Sequence, residues 1–224
     1  MKKRPLVALA VLSASILGCA AVTTDATDSA DAANSADANT DSNERYRAQA
    51  IALMKSSFHD KEQATMDRLD QDGVQRVCDR QPDTPERAQE RAALEKVELA
   101  AVKFPADGKF LGNFVEGEKI AQSGVGLQWS DKAGSIAGGN CYACHQLTKA
   151  EVSYGNLGPS LYHYGKLRGD ADASLRYTWT RLYNAKAYNA CSNMPRFGHK
   201  GILSEQQLKD VMALLLDPKS PVNQ

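Results

Sequence analysis

The residues with the clearest chemistry are Cys141, Cys144 and His145, which stand in the run Cys-Tyr-Ala-Cys-His. Two thiols at this spacing can add across the two vinyl groups of a haem, and the imidazole that follows can reach the iron from one face. The motif therefore predicts covalent attachment of one haem c. A haem held by His145 needs either a sixth ligand or an open position.

Two other kinds of site share part of this pattern. A thioredoxin-like redox site also has two cysteines separated by two residues, but it lies in a β-α-β pattern, and no strand pattern of any length appears in the sequence. A zinc site needs a second pair of Cys or His residues at ligand spacing, and the sequence has none. Haem attachment is the interpretation that the sequence favours.

Met194 is the residue expected on the far face of the iron. It lies in the segment 193–198, which Pro195 stiffens, and it follows the haem motif in the chain. A thioether there would raise the potential of the haem. The other methionines of the mature chain lie at helical positions typical of core packing: Met54, Met66 and Met212. His199 stays open as an alternative ligand.

An iron-bound imidazole usually donates its other N–H to a carbonyl or carboxylate oxygen. Pro159 has no N–H, so its neighbourhood presents carbonyls. We expect the Pro159 carbonyl to accept this hydrogen bond from His145. Four further residues are candidates for contacts with the haem propionates or edge: Tyr164, Arg168, Trp179 and Arg196.

Residues 1–18 have the features of an export signal, with three basic residues followed by an apolar run that is too short to span a bilayer. The run from Ile16 to Cys19 resembles a bacterial lipobox, in which the cysteine is lipidated and becomes the first mature residue. The small residues around Cys19 also suit ordinary cleavage, which would discard it. We favour a periplasmic protein with a lipid anchor on Cys19.

The mature chain after residue 18 has 24 basic and 27 acidic residues, a net charge of −3, and no basic stripe. A nucleic-acid partner is therefore not expected. Residues 19–43 consist almost wholly of small and polar residues and predict a disordered linker. Its expected role is to hold the folded part away from the membrane.

Cysteine counting predicts one disulfide. After Cys19 is assigned to lipid and two cysteines to haem, Cys78 and Cys191 remain of the five. An even remainder in an oxidising compartment favours a bond between them. Two alternatives stay open: two free buried thiols, or a reactive thiol at Cys191 near the haem.

The periodicity of apolar residues predicts an all-α protein. Residues 44–109 are expected to form a helical extension, with a helix around 66–77 and a longer one capped by Thr84, and residues 110–224 the haem domain. Helices of the haem domain are expected at 114–122 and 173–183. A last helix should begin at Ser204, with Gln207 completing a capping box.

Four segments carry a resemblance to a known family: 117–121, 138–145, 164–169 and 191–198. Together with helices at both ends, they make residues 110–217 similar to a class I cytochrome c. They resemble SoxX more closely, the family of monohaem subunits of the sulfur-oxidising SoxAX complexes. The resemblance implies a class I cytochrome c fold that carries a helical N-terminal extension.

The resemblance also implies a role. SoxAX complexes join thiosulfate oxidatively to a cysteine of the carrier SoxYZ, an L-cysteine S-thiosulfotransferase activity. Their bond-forming cysteine belongs to the SoxA subunit, so no catalytic residue is expected on this chain. Its haem would pass electrons to a small soluble cytochrome. Two alternatives remain: a free-standing cytochrome that feeds an oxidase, and a redox or gas sensor in which Met194 is displaceable.

Overall fold

The computed structural model describes residues 28–79 and 84–224. The predicted signal peptide, residues 1–18, and the lipidation candidate Cys19 lie outside the described residues. A boundary between two compact units falls after Ala52, and the contacts discussed below lie within the second unit, Leu53–Gln224.

The described residues are helical and contain no β-strand, which confirms the predicted all-α class. The α-helices are α1 (Asp28–Ser57), α2 (Gly73–Cys78), α3 (Pro85–Ala100), α4 (Phe114–Gln122), α5 (Tyr164–Arg168), α6 (Asp172–Tyr183) and α7 (Glu205–Leu216). Short 3-10 helices lie at Met66–Leu69, Cys141–Ala143, Ala185–Ala187 and Pro221–Asn223. None of the helices in the described part of the chain has the length and apolar character that a membrane span requires.

The predicted helix starts agree with the structure. The Thr84 side chain accepts a hydrogen bond from the Arg87 N–H at 3.4 Å, and Pro85 occupies the first helical position of α3. The Ser204 hydroxyl accepts from the Gln207 N–H at 3.2 Å, and the Gln207 side chain accepts from the Ser204 N–H at 3.0 Å. Both starts follow from local chemistry, since the capping side chain satisfies an N–H that has no partner within the helix.

Two predictions for the N-terminal half differ from the structure. Residues 28–43 of the predicted disordered linker belong to α1. This stretch has five alanines and eleven Asp, Asn, Ser or Thr residues of low helix propensity, so its composition does not explain the helix, although no glycine or proline interrupts α1. The helix predicted around 66–77 is divided, because Asp72 adopts an extended conformation and caps a separate helix α2.

The core forms where α4 packs against α7. The two helices approach closely at Gly117, where a Cβ atom would lie 2.1 Å from the Asp210 carbonyl oxygen. Trp179 of α6 is 1% exposed and donates its indole N–H to the Lys103 carbonyl oxygen at 2.8 Å. The end of the extension is thereby fixed to the core of the haem domain.

Candidate functional site

The two residues before the Cys141–Ala143 turn are hydrogen-bonded to the end of α4. The Gly139 N–H donates to the Ile120 carbonyl oxygen at 2.8 Å, and the Asn140 N–H donates to the Ser123 carbonyl oxygen at 3.0 Å. Asn140 enters the turn with a φ of +46°, in the left-handed region that asparagine tolerates. The α4–α7 core therefore fixes the position of the first cysteine.

The His145 ring is held in one orientation. Its Nδ1 lies 2.7 Å from the Pro159 carbonyl oxygen, so the Nδ1–H donates and Nε2 remains for a metal. Gly158 lies against the ring, where a Cβ atom would come within 2.1 Å of Cε1. The Gly158 N–H donates to the Cys144 carbonyl oxygen at 2.8 Å, which closes the Gly-Pro segment onto the haem motif. Only glycine leaves room for this imidazole.

The Cys141 and Cys144 thiols are not bonded to each other. Cys141 packs against the hydrophobic core, and burial raises the pKa of its thiol to about 12. Redox-active thiols of the thioredoxin type depend on the opposite shift, a lowered pKa. The environment of Cys141 thus suits a thioether in an apolar crevice better than thiol–disulfide exchange.

Tyr142, between the two cysteines, points away into the core. Its hydroxyl donates to Glu118 Oε1 at 2.9 Å and lies 3.4 Å from Thr148 Oγ1. Burial, with a contribution from Glu118, raises the pKa of Tyr142 to about 12. The sequence did not single out Glu118, because a glutamate on a short helix is most often solvated.

Met194 lies partly buried against the core, in the segment 188–204 between the Ala185–Ala187 turn and α7. Its N–H donates to Ser192 Oγ at 3.2 Å. The rival ligand His199 lies elsewhere: burial lowers its pKa, and Glu98, Arg196, Lys200 and Asp72 contribute the charges around its ring. His199 therefore belongs to a charged cluster shared with the extension.

The structure joins Cys78 and Cys191 by a disulfide across 113 residues, with a Cα–Cα distance of 5.4 Å. This distance lies in the normal range for such bonds. The bridge connects the end of α2 to the segment that carries Met194. Cys191 is therefore not a free thiol in this structure.

The four candidates for propionate or edge contacts fall into two groups. The polar atoms of two of these candidates bind the extension: Trp179 binds the Lys103 carbonyl, and Arg196 pairs with Asp72 and Glu98. The other two lie together on the haem domain. The Arg168 guanidinium lies over the Tyr164 ring, and the Tyr164 hydroxyl lies 2.9 Å from Thr178 Oγ1.

The residues present fit a c-type haem. They supply two thiols that are not in a disulfide, and the Met194 thioether at the edge of an apolar core. They also supply Nε2 of His145, because the other ring nitrogen, Nδ1, is already hydrogen-bonded. Other partly buried apolar side chains pack against the same core: Ile120, Leu161, Leu175, Tyr183 and Ile202. No cluster of three or more His, Cys, Asp or Glu within the described ranges could hold a bare metal ion.

Comparison with known proteins gives two matches. Residues 130–218, which include the Cys-x-x-Cys-His motif and Met194, match the family model described as cytochrome c. An uncharacterized lipoprotein of Aquifex aeolicus (strain VF5) is 35% identical over 155 residues. The alignment covers 68% of this chain and 73% of that relative.

Proposed function

We propose that this chain, whose residues 130–218 match the cytochrome c family, is the monohaem electron-transfer subunit of a SoxAX-type complex. The cytochrome c match implies a covalently bound haem c, electron transfer and a class I cytochrome c fold. The single Cys-x-x-Cys-His motif supports one haem.

In this proposal the side chains of the site have separate tasks. Cys141 and Cys144 hold the haem through thioether bonds, and His145 and Met194 bind the two faces of the iron. The observation that carries the proposal is the His145–Pro159 hydrogen bond of 2.7 Å, which directs one ring nitrogen to the metal. With both axial positions taken by the protein, the iron has no place for a substrate and is suited to carry electrons.

The chemistry of the complex needs such a carrier. When a cysteine thiol and thiosulfate form a sulfur–sulfur bond, one proton and two electrons leave. A single haem accepts one electron at a time, so two passages through it complete one reaction. A SoxA-like partner with a Cys-ligated haem would make the bond on a SoxYZ carrier, and a small soluble cytochrome would accept the electrons. The four segments that resemble SoxX support this assignment.

The N-terminal sequence supports a proposal for where this protein works. The lipobox-like run that ends at Cys19 supports lipidation at Cys19, as does the description of the Aquifex aeolicus relative as a lipoprotein. The haem domain would then work in the periplasm on a membrane tether. Mass spectrometry of the mature N-terminus tests this, since ordinary cleavage would leave a chain without the cysteine or its lipid.

The decisive experiment is purification of the native protein together with any haem protein that accompanies it, followed by a reduction assay with thiosulfate and the carrier. We expect a second, Cys-ligated haem protein to co-purify and this haem to be reduced only when thiosulfate and carrier are both present. A lone monomer that thiosulfate does not reduce would favour a free-standing cytochrome. Rapid carbon monoxide binding by the ferrous protein would favour a sensor.

A further inference from the structure

The segment that carries Met194 has little structure of its own. Residues 188–204 contain no helix, and the Met194 N–H is bonded only locally, to Ser192 Oγ. A segment of this length without secondary structure loses much conformational entropy when it is fixed. Apart from the turns that close after Arg196, the contacts that hold it in place come from elsewhere in the protein.

On the N-terminal side of Met194, the extension holds this segment by two bonds. Cys191, three residues before Met194, is bridged to Cys78 at the end of α2. The Ala190 N–H donates to Glu95 Oε1 of α3 at 2.9 Å. One anchor is covalent, and the other is a charge-assisted hydrogen bond.

On the C-terminal side, the Gly198 and His199 N–H groups donate to the Tyr183 carbonyl oxygen of α6 at 3.1 and 2.9 Å. Arg196, two residues after Met194, adds an anchor to the extension. Its side chain is 7% exposed and pairs through Nη2 with Asp72 Oδ2 and through Nη1 with Glu98 Oε2 at 3.6 Å. Lys200 adds a longer contact to Asp72 at 3.8 Å. The forked guanidinium thus connects α2 and α3 to the segment, a geometry that lysine cannot reproduce.

We propose that residues 72–79 and 84–98 of the extension are a positioning element for the axial methionine. The Cys78–Cys191 bridge and the Arg196 ion pairs hold the segment on both sides of Met194 and keep its sulfur on the iron. The inference rests on the proposed function, because it assumes that Met194 is the axial ligand. Arg196 and the bridge act through Met194 and do not bind the haem themselves.

Competition with an added ligand measures this effect directly. Imidazole can bind ferric iron only in molecules whose Met194 has left it, so its apparent Kd reports the equilibrium between bound and released Met194. Weaker anchors increase the released fraction and lower the apparent Kd. A stability change that does not reach the contacts of the Met194 segment leaves this equilibrium unchanged.

The test uses ferric holoprotein with Arg196→Met, with the double change Cys78→Ser/Cys191→Ser, and with Arg196→Lys. The matched control is Lys209→Met, which removes ion pairs with Asp107 and Glu205 but leaves the Met194 segment untouched. We expect the apparent Kd for imidazole to fall roughly tenfold in each of the first two variants and not in the control. The apparent Kd of Arg196→Lys should lie between those of wild type and Arg196→Met. If Arg196→Met does not fold, Arg196→Lys is the variant that tests the ion pairs.

Two results would overturn the inference: imidazole affinities within twofold of wild type in every variant that folds, or an equal change in the Lys209→Met control. A wrong ligand assignment would give a different result. If wild-type protein lacks the Met–iron charge-transfer band, the ligand assignment itself is wrong. If the band is present and the variants bind imidazole as wild type does, only the positioning role is lost.

Discussion

Asp72 binds Arg196 through Oδ2 while its Oδ1 accepts the Gln75 N–H that starts helix α2. One carboxylate therefore caps a helix of the extension and holds the segment that carries Met194. The Gln75 side chain accepts a hydrogen bond from the Asp72 N–H at 2.9 Å, which completes a capping box. Helix α2 is therefore coupled to the segment that carries Met194 at both ends, through Asp72 at its start and through the Cys78–Cys191 bridge at its end.

This carboxylate makes the stability of the protein depend on pH. Burial alone would raise the pKa of Asp72, but the Gln75 N–H and Arg196, with Lys200, hold it below its usual 3.8. Burial lowers the pKa values of Lys186 and His199, and the charge of Asp72 acts against that shift. Because the folded-state pKa is lowered, the ionised carboxylate stabilises the fold above pH 3.8, and this contribution disappears as the pH falls through the lower value.

Asp72→Asn tests that contribution, since asparagine keeps the helix cap and removes the charge. At neutral pH we expect the variant to lose on the order of 1 kcal/mol of unfolding free energy, because a charge-assisted bond to a mostly buried arginine is removed. Denaturant unfolding of the holoprotein at pH 7 and pH 3 measures the difference. If the difference in unfolding free energy between variant and wild type is the same at pH 7 and pH 3, the pH-dependent stability does not come from Asp72.

Gly158→Ala should interfere with haem attachment. The new Cβ would lie 2.1 Å from Cε1 of His145, so the imidazole must leave the Pro159 carbonyl, and overpacking of this kind costs roughly 1–3 kcal/mol. We expect less covalently bound haem per protein, measured by the pyridine haemochrome spectrum. Gly73→Ala is the matched control, because a Cβ there meets no atom within 4 Å. Equal haem content in both variants would show that the His145 ring has room to move.

Met194→Ala should open one face of the iron and lower its potential. Axial ligands tune haem potentials over about 0.8 V, and we expect a shift that is a clear fraction of this range. Redox titration and the loss of the Met–iron absorption band measure the change. His199→Ala should leave both unchanged; if it removes the band instead, the ligand is His199 and the assignment is wrong.

Tyr142→Phe should weaken the connection between the haem motif and α4. It removes the bond to Glu118, whose Oε2 is buried without a hydrogen-bond partner in the described structure, and we expect a loss of about 1–2 kcal/mol of unfolding free energy. Thermal unfolding followed by circular dichroism is the measurement. Tyr154→Phe, at an exposed tyrosine, should have no effect. A loss of the same size in both variants would mean that the hydroxyl of Tyr142 contributes nothing specific.

The sequence was most informative where local chemistry determines structure. The caps at Thr84 and Ser204 involve residues three apart in the chain, so their geometry follows from residue type. The Cys-x-x-Cys-His motif is equally local. The predicted disulfide came from counting cysteines, which needs no knowledge of the fold.

The ion pairs of Arg196 could not be predicted in the same way. Asp72 lies 124 residues from Arg196 in the chain, and each residue viewed alone is an ordinary surface charge. Only the packing of α2 and α3 against the segment that carries Met194 brings the charges together. The same limit applies to Trp179, an aromatic residue that the sequence could not distinguish from a haem contact.

The Cys78–Cys191 bond has a consequence for how the protein matures. Four thiols, those of Cys78, Cys141, Cys144 and Cys191, reach the same compartment, and they allow three ways of forming two disulfides. A bond that uses Cys141 or Cys144 blocks thioether formation, which requires reduced thiols. Maturation must therefore keep one pair reduced while the other is oxidised, and the chain depends on both an oxidising and a reducing pathway before it can carry an electron.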